Sequence, residues 1–313
     1  MLKTSVVIST YNGERYLPEL LDSIKNQSMK PDEVVICDDC SKDGTVEYIH
    51  SYIAENDLHN WTVYVNEANV GWKKNFRNAI EKSSGDLIFL CDQDDIWNKE
   101  KVSDMYRIMQ NPEIECLVTN YTPFFDEGIR TEESYHVRGL SNEDGKILPI
   151  KLRPYFFSCM RPGCVFCVKR SLYEEIKDVD DVSIPHDDVF WASAIARGTL
   201  FIYQKSLIHF RRHGDNASTA DAERSLGRRI EAIEELLKIT NWILSTHKLY
   251  LNTNYADICK YKNFLEKRRL ALKQKQLLRL IGVIISNYRC YATFRNCVAD
   301  VVYLVKYKRV RIG

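Results

Sequence analysis

The feature that most constrains this chain is an alternation in its first hundred residues. Short apolar runs rich in β-branched residues alternate with segments whose apolar residues recur every three or four positions. Thr4–Thr10 (TSVVIST), 33–37 (EVVIC), Trp61–Val65 and 87–91 (LIFLC) read as strands. Segment 14–27 reads as a helix, with Leu17, Leu20, Leu21 and Ile24 on one face, and Thr45–Glu55 and 73–82 read as two more. Strands joined through helices pair in parallel, with helices on both faces of the sheet. The expected fold class is therefore α/β, with a mostly parallel, Rossmann-like central sheet. In such sheets ligands bind beyond the carboxyl ends of the strands. Thr10-Tyr11, Asp38-Asp39 and the acids from Asp92 to Asp95 all fall at such ends.

The fourth strand ends in an unusual way. Segment 84–97 reads SGDLIFLCDQDDIW, placing Asp92, Asp94 and Asp95 within four residues. Like charges that close cost about 1 kcal/mol or more per near pair once solvent is partly excluded, and a divalent cation removes that cost. Alternate residues of an extended segment share a side, so Asp92 and Asp94 can face one ion or ligand together. Oxygen ligands favour Mg²⁺ or Mn²⁺ shared with a substrate phosphate. The plain alternative is a solvated acidic turn in which Asp95 caps the next helix. No G-x-G-x-x-G follows the first strand and no G-x-x-x-x-G-K-[ST] occurs, which argues against a dinucleotide oxidoreductase and a P-loop NTPase.

Beyond residue 111 the pattern loosens. Segment 115–120 reads as a strand, and 123–146 as a polar, acceptor-facing insertion. Residues 165–168 read as a strand, with Gly163 marking a close approach of backbone. The cluster His186-Asp187-Asp188 leads into an apolar helix through Ala196, where an acid is either a cap or a working group. Residues 200–203 read as a short strand, followed at 209–216 by a basic, His-containing loop suited to gripping a diphosphate or to lying plainly on the surface.

Charge is divided along the chain. Residues 222–313 carry 19 Lys+Arg against 7 Asp+Glu, while the first 221 carry 25 against 36. An acidic body with a basic tail implies an anionic partner for the tail. Lys267, Arg268, Arg269, Lys273, Lys275 and Arg279 are interleaved with Leu265, Leu270, Leu272, Leu277, Leu278, Leu280 and Ile281, the chemistry of an interfacial membrane helix. Packing on the body or self-association into a homo-oligomer are the alternatives. No run of 18 apolar residues and no export signal are found, so a cytoplasmic chain held peripherally at the inner membrane face is expected. The ten cysteines fit reduced thiols: Cys37, Cys91 and Cys116 lie in apolar runs, and the C-x-x-C of Cys164 and Cys167 has no second pair at zinc-site spacing. The acidic body and the lack of a recognised module argue against a nucleic-acid partner. The expected organisation is a catalytic domain over 1–218, divided into a nucleotide-binding half (1–115) and an acceptor-binding half (116–218), then a basic helical region over 219–313.

Several motifs in fixed order give a more specific reading. They are SVVISTYNGE at 5–14, DDCSKDGT at 38–45, NVG at 69–71, the SGD…DQDDIW stretch, PGC at 162–164, HD at 186–187 and RRHGDN at 211–216. Together they resemble the inverting, metal-dependent glycosyltransferases of family 2, with the GT-A fold, over about the first 218 residues. More narrowly they resemble bacterial rhamnosyltransferase-type enzymes of surface polysaccharide assembly. The resemblance implies a UDP- or dTDP-sugar donor, a glycan or lipid-linked glycan acceptor, and Mn²⁺ or Mg²⁺. It implies that Thr10 and Tyr11 line the nucleotide pocket, that Asp39 accepts a hydrogen bond from the base, and that Asn69 lies near it. The family's Arg-Asn pair is shifted here, with Lys74-Asn75 early and Arg77-Asn78 late; Lys74 is the expected basic group near the phosphates. Asp92 would hold the ribose, Asp94 the metal, and His213 would approach the metal or diphosphate. Asp187 would be the general base, with its neighbour Asp188 as the rival. Trp97 and Trp191 are candidates for stacking on sugars or for core packing. The competing functions are a sugar nucleotidyltransferase, which would need a Gly-rich basic loop where Tyr11-Asn12-Gly13-Glu14 stands, and a binding scaffold with a decayed site.

Overall fold

A computed structural model describes residues 1–126, 140–153, 159–179, 182–214, 225–246, 255–291 and 293–310. Most of the expected insertion at 123–146, and Asp215-Asn216 of the RRHGDN motif, lie outside the described residues. The strands are β1 (Thr4–Thr10), β2 (Glu33–Asp38), β3 (Trp61–Val65), β4 (Leu87–Asp92), β5 (Ile96–Trp97), β6 (Cys116–Phe125), β7 (Ile147–Pro149), β8 (Phe166–Lys169) and β9 (Leu200–Arg212). They form one nine-stranded sheet in the order β3-β2-β1-β4-β8-β6-β9-β5, with β7 paired to β9. β3, β2, β1 and β4 are mutually parallel; β8 runs antiparallel between β4 and β6, and β6 pairs in parallel with β9.

The helices that cross between these strands are α1 (Leu17–Lys25), α2 (Thr45–Glu55), α3 (Trp72–Lys82) and α4 (Lys101–Met109). α5 (Arg170–Ile176) and α6 (His186–Arg197) follow β8. The apolar runs predicted as strands are buried from end to end: Val6 to Ile8, Val34 to Cys37 and Leu87 to Cys91 expose 3% or less. Burial on both faces is why they read as continuous rather than alternating apolar segments. Register aligns their polar ends, pairing Ser9 with Asp92 and Thr10 with Asp38.

One expectation fails at the far edge. The short strand and basic loop read at 200–216 are a single thirteen-residue strand, β9, through Arg212. β6 is longer than expected as well, and the two pair in parallel with register shifts around Asn120. Arg211 and Arg212 are therefore buried strand residues, at 8% and 4% exposure, and not a loop. Pro123 is tolerated in β6 because β8 pairs only with 116–118, leaving that edge free of a ladder partner there.

The basic region forms α7 (Leu226–Thr246), α8 (Tyr255–Lys273), α9 (Leu277–Asn287) and α10 (Phe294–Val310), with α7 seated against α6. Its polar centre is Asp300, fully buried. Asp300 accepts from Arg229 Nε at 2.7 Å, Arg268 Nε at 2.6 Å and Tyr291 Oη at 2.9 Å. Burial works against its charge, but the bonds and charge of Arg268 and Arg229 hold its pKa below the usual carboxylate value. Leu278, Ile281 and Ile285 of α9 and Phe294, Val298 and Val302 of α10 are exposed, Leu278 at 86% and Phe294 at 80%. No helix among the described residues is long and apolar enough to cross a membrane.

Candidate active site

A cavity of about 790 Å³ opens at the carboxyl ends of β1, β2 and β4, where the parallel strands were expected to deliver a ligand. One end is lined by Thr10, Tyr11, Asp39, Asn69 and Gly71. Thr10 Oγ1 donates to Asp38 Oδ2 at 2.8 Å, so Asp38 is a buried structural acid. Asp39 Oδ1 accepts from Asn66 Nδ2 at 2.9 Å and Val70 N at 2.8 Å, and Oδ2 accepts from Gly71 N at 2.8 Å. A carboxylate has about four acceptor sites, so a position on Oδ2 is left for a ligand N–H. Gly71, at φ 85, makes the left-handed turn that starts α3. Gln93 clips the acidic loop to the β1 loop, accepting from Tyr11 N at 2.8 Å and donating to Tyr11 O at 3.1 Å.

In the middle of the cavity, Asp92 and Asp94 face the space, as the two-residue period requires, and Asp95 turns away. Asp95 is fully buried, accepts from Arg211 N at 3.1 Å, and caps no helix. Its Oδ2 has no partner, and burial followed by the charges of Asp94 and Asp92 raises its pKa well above normal. The Asp92 carboxyl is pushed up to about 7, by burial first and then by Asp94 and Asp187. Asp94 Oδ2 lies 2.7 Å from His213 Nε2, and the imidazole stacks on Tyr16 with centroids 4.5 Å apart. A crowded acid cluster beside an imidazole fits a hard divalent cation. Cys164 lies near Asp92 and Asp95, and burial raises the pKa of its thiol well above the ordinary value.

Asp187 lines the far end, in the first turn of α6, with Pro162 and Gly163 opposite. A Cβ on Gly163 would come 3.2 Å from His186 Nε2 and 3.4 Å from Asp187 Cβ, so the glycine keeps that gap open. The N-cap is Pro185, which makes no side-chain capping bond, while Asp187 Oδ1 accepts from Asp188 N at 3.0 Å. Asp187 sits deep among protein atoms, and that loss of solvent raises its pKa to about 6. Asp188 is outside the cavity lining, its Oδ1 accepting from Cys159 N at 2.9 Å.

Three expected residues lie elsewhere. Lys74 is exposed on α3 and does not line the cavity. Trp97 is 3% exposed, packed near Phe89 with Lys101 Nζ 3.5 Å from its ring centroid, and Trp191 is wholly buried near Phe166; both are core residues. The aromatic lining is instead Tyr11, Tyr16, Trp72, Phe76 and Phe210, joined by His186 and His213. Trp72 carried a readable signal, since it directly follows the N-V-G turn.

The family model for glycosyl transferase family 2 matches residues 5–177, more than half of the chain. The dTDP-rhamnosyl transferase RfbG of Shigella flexneri is 28% identical over 222 residues, covering 67% of this chain and 72% of its own. The poly(ribitol-phosphate) beta-N-acetylglucosaminyltransferase TarS of Staphylococcus aureus is 35% identical over 106 residues, 33% of this chain and 18% of TarS. Residues 1–349 of S. aureus TarS, solved with UDP-GlcNAc, superpose with a TM-score of 0.64 at 20% identity, covering 100% of this chain and 92% of that one. The mannosyltransferase PcManGT of Pyrobaculum calidifontis, solved with GDP-Man and Mn²⁺, gives 0.57 at 16% identity, covering 97% and 85%.

Proposed function

The chain belongs to glycosyl transferase family 2 and is a transferase of GT-A fold, and from that we propose a metal-dependent, inverting transfer from a UDP- or dTDP-sugar to a glycan of a bacterial surface polysaccharide. The observation that carries this is one cavity lined by Asp39 and Asn69 at one end, Asp92, Asp94 and His213 in the middle and Asp187 at the other. Asp39 and Asn69 bind the base, Thr10 and Tyr11 line its pocket, and Asp92 holds the ribose. Asp94 and His213 hold Mn²⁺ or Mg²⁺, which supplies positive charge against the leaving diphosphate. The use of a metal is supported by PcManGT, whose complex contains Mn²⁺. Asp187 takes the proton of the acceptor hydroxyl as its oxygen bonds to the anomeric carbon and the bond to the diphosphate breaks on the opposite face. That geometry inverts the centre, and its oxocarbenium character is relieved by attack. A pKa near 6 leaves Asp187 mostly ionised at neutral pH and still basic enough to accept a proton.

The dTDP-sugar reading draws on RfbG and the UDP-sugar reading on TarS. A lipid-linked acceptor would suit the tail, whose exposed apolar residues on α9 and α10 are flanked in sequence by Lys275, Arg279, Arg289, Arg295 and Lys306, while the one acid of those two helices, Asp300, is buried and paired. We assign that face to an anionic membrane surface on the cytoplasmic side. Co-sedimentation with vesicles containing phosphatidylglycerol, lost in Leu278→Ser/Phe294→Ser, supports the assignment. Concentration-dependent dimerisation lost in the same variant would assign the face to a second copy instead.

The activity itself is tested by nucleoside diphosphate release from a panel of UDP-, dTDP- and GDP-sugars with Mn²⁺ or Mg²⁺. Release from one donor, abolished by Asp94→Ala, is expected. Nucleotide binding without release in the presence of any glycan acceptor would favour a binding scaffold.

A further inference from the structure

His186 precedes the proposed base by one residue, lines the cavity and is 4% exposed. Neither of its ring nitrogens has a hydrogen-bond partner among the described residues. Buried polar atoms are nearly always paired, so an imidazole with both nitrogens unpaired at a cavity wall points to a missing ligand. The ring is held in place without using those nitrogens. It stacks on Phe76 with centroids 4.1 Å apart, and Trp72 meets it edge-on at 6.0 Å. Gly163 faces Nε2, and a Cβ there would come within 3.2 Å of it. Burial, and then the charge of Arg77, push the His186 pKa down to about 3, so the ring is neutral and offers one donor and one acceptor. That pair matches a hydroxyl, which also donates and accepts.

Position along the cavity narrows the ligand. Trp72 follows Gly71, whose N–H is held by Asp39 at the base-binding end, and Asp187 stands on the other side of His186. A sugar attached to the nucleotide must lie between these two ends for Asp187 to serve its anomeric carbon from the opposite face. We propose that His186 selects the donor sugar by hydrogen-bonding one hydroxyl of the transferred pyranose, with Trp72 packing against the ring's apolar edge. This rests on the function proposed above. A site built to pair a substrate hydroxyl discriminates strongly against analogues that lack it.

The test compares two variants, His186→Phe, which keeps the stacked ring without its nitrogens, and His186→Gln, which restores a donor and an acceptor. Calorimetry would use UDP, dTDP, UDP-N-acetylglucosamine and dTDP-rhamnose as probes. His186→Phe is expected to weaken the sugar nucleotide that the wild type prefers by tenfold or more, to leave the matching nucleoside diphosphate within twofold, and to be partly rescued by His186→Gln. Equal weakening of the nucleoside diphosphate, or no weakening of the sugar nucleotide, overturns the proposal. Ring ¹⁵N signals of the wild type give a second readout that needs no stable variant. The His186 nitrogens should shift with the sugar nucleotide and not with the nucleoside diphosphate, and absence of that difference refutes the assignment. A wild type that binds none of the four probes would refute the proposed function itself, a separate result.

Discussion

Replacing Arg211 with methionine is expected to destabilise the protein by about 2–3 kcal/mol and to loosen the acidic loop. Arg211 is 8% exposed near the end of β9. Its Nε donates to Asp94 O at 2.9 Å, Nη1 pairs with Asp126 at 3.1 Å, and Nη2 reaches Glu19. Breaking a buried ion pair by removing one partner costs about 3–5 kcal/mol. Here the figure must be discounted. Glu19 is 59% exposed in its side chain and regains water, and Asp126 keeps Arg15 at 3.2 Å. What is lost outright is a charge-assisted bond to the Asp94 carbonyl, worth about 1.5–3 kcal/mol, together with packing over the Phe124 ring at 4.5 Å. Urea denaturation measures the total, and Arg211→Lys, which keeps the charge without the fork, should fall between wild type and Arg211→Met. A loss below about 1 kcal/mol for Arg211→Met would refute the claim that this residue fixes the loop, since even the single carbonyl bond is expected to cost more.

Asp187→Asn should lower turnover by about 10²–10⁴-fold with donor affinity retained, whereas Asp188→Asn should change turnover far less. Because the proposed mechanism needs Asp187 ionised and its pKa is raised to about 6, kcat/KM should be level above neutral pH and fall about tenfold per unit below pH 6; a flat profile down to pH 5 would count against this base. Asp92, Asp187 and Asp188 all have folded pKa values raised to about 6–7, so the folded state binds more protons than the unfolded one between pH 4 and 7. Without divalent cation, stability should therefore be greatest below about pH 4 as far as these groups contribute, and decline as pH rises from 4 through 7, with Mn²⁺ restoring part of it; thermal melts with chelator across that range check the sign. Asp300→Asn leaves Arg229 and Arg268 facing a neutral group, and should destabilise the helical region by about 2–4 kcal/mol without changing nucleotide affinity, as urea denaturation and calorimetry would register.

The strands β2, β1 and β4 were legible because they are buried on both faces and the helices that cross between them on one, which writes both periods directly into the residues. The acidic loop was legible for a similar reason, since the alternation of Asp92 and Asp94 is local. β9 was not. Two adjacent arginines read as a loop because their burial depends on partners far away in the chain: Glu19 lies 192 residues from Arg211, and the Asp94 carbonyl 117 residues. The aromatic lining was misassigned on the same ground. Trp97 pairs in register with Ile208 and faces the core, while Trp72 borders the cavity, and only the assembled sheet separates them. Lys74 falls just before the buried run Asn75, Phe76 and Arg77 of α3, and one helical position decides between cavity and solvent. The role of His186 as an unpaired buried ring has no local signature at all.

The hold of Asp39 on Val70 and Gly71 has a consequence for how such an enzyme diversifies. On the proposed function, the carboxylate at the nucleobase end also sets the turn from which Trp72 and Phe76 are presented toward the sugar. Base preference and sugar preference therefore do not form two exchangeable modules. A substitution that re-aims Asp39 for another base also re-aims the start of α3, and grafting a sugar pocket from a relative onto this chain should succeed only if the turn at 69–71 and its acid travel with it. Donor choice is inherited as one block of chain, and directed evolution for a new sugar should draw its first compensating changes from that turn.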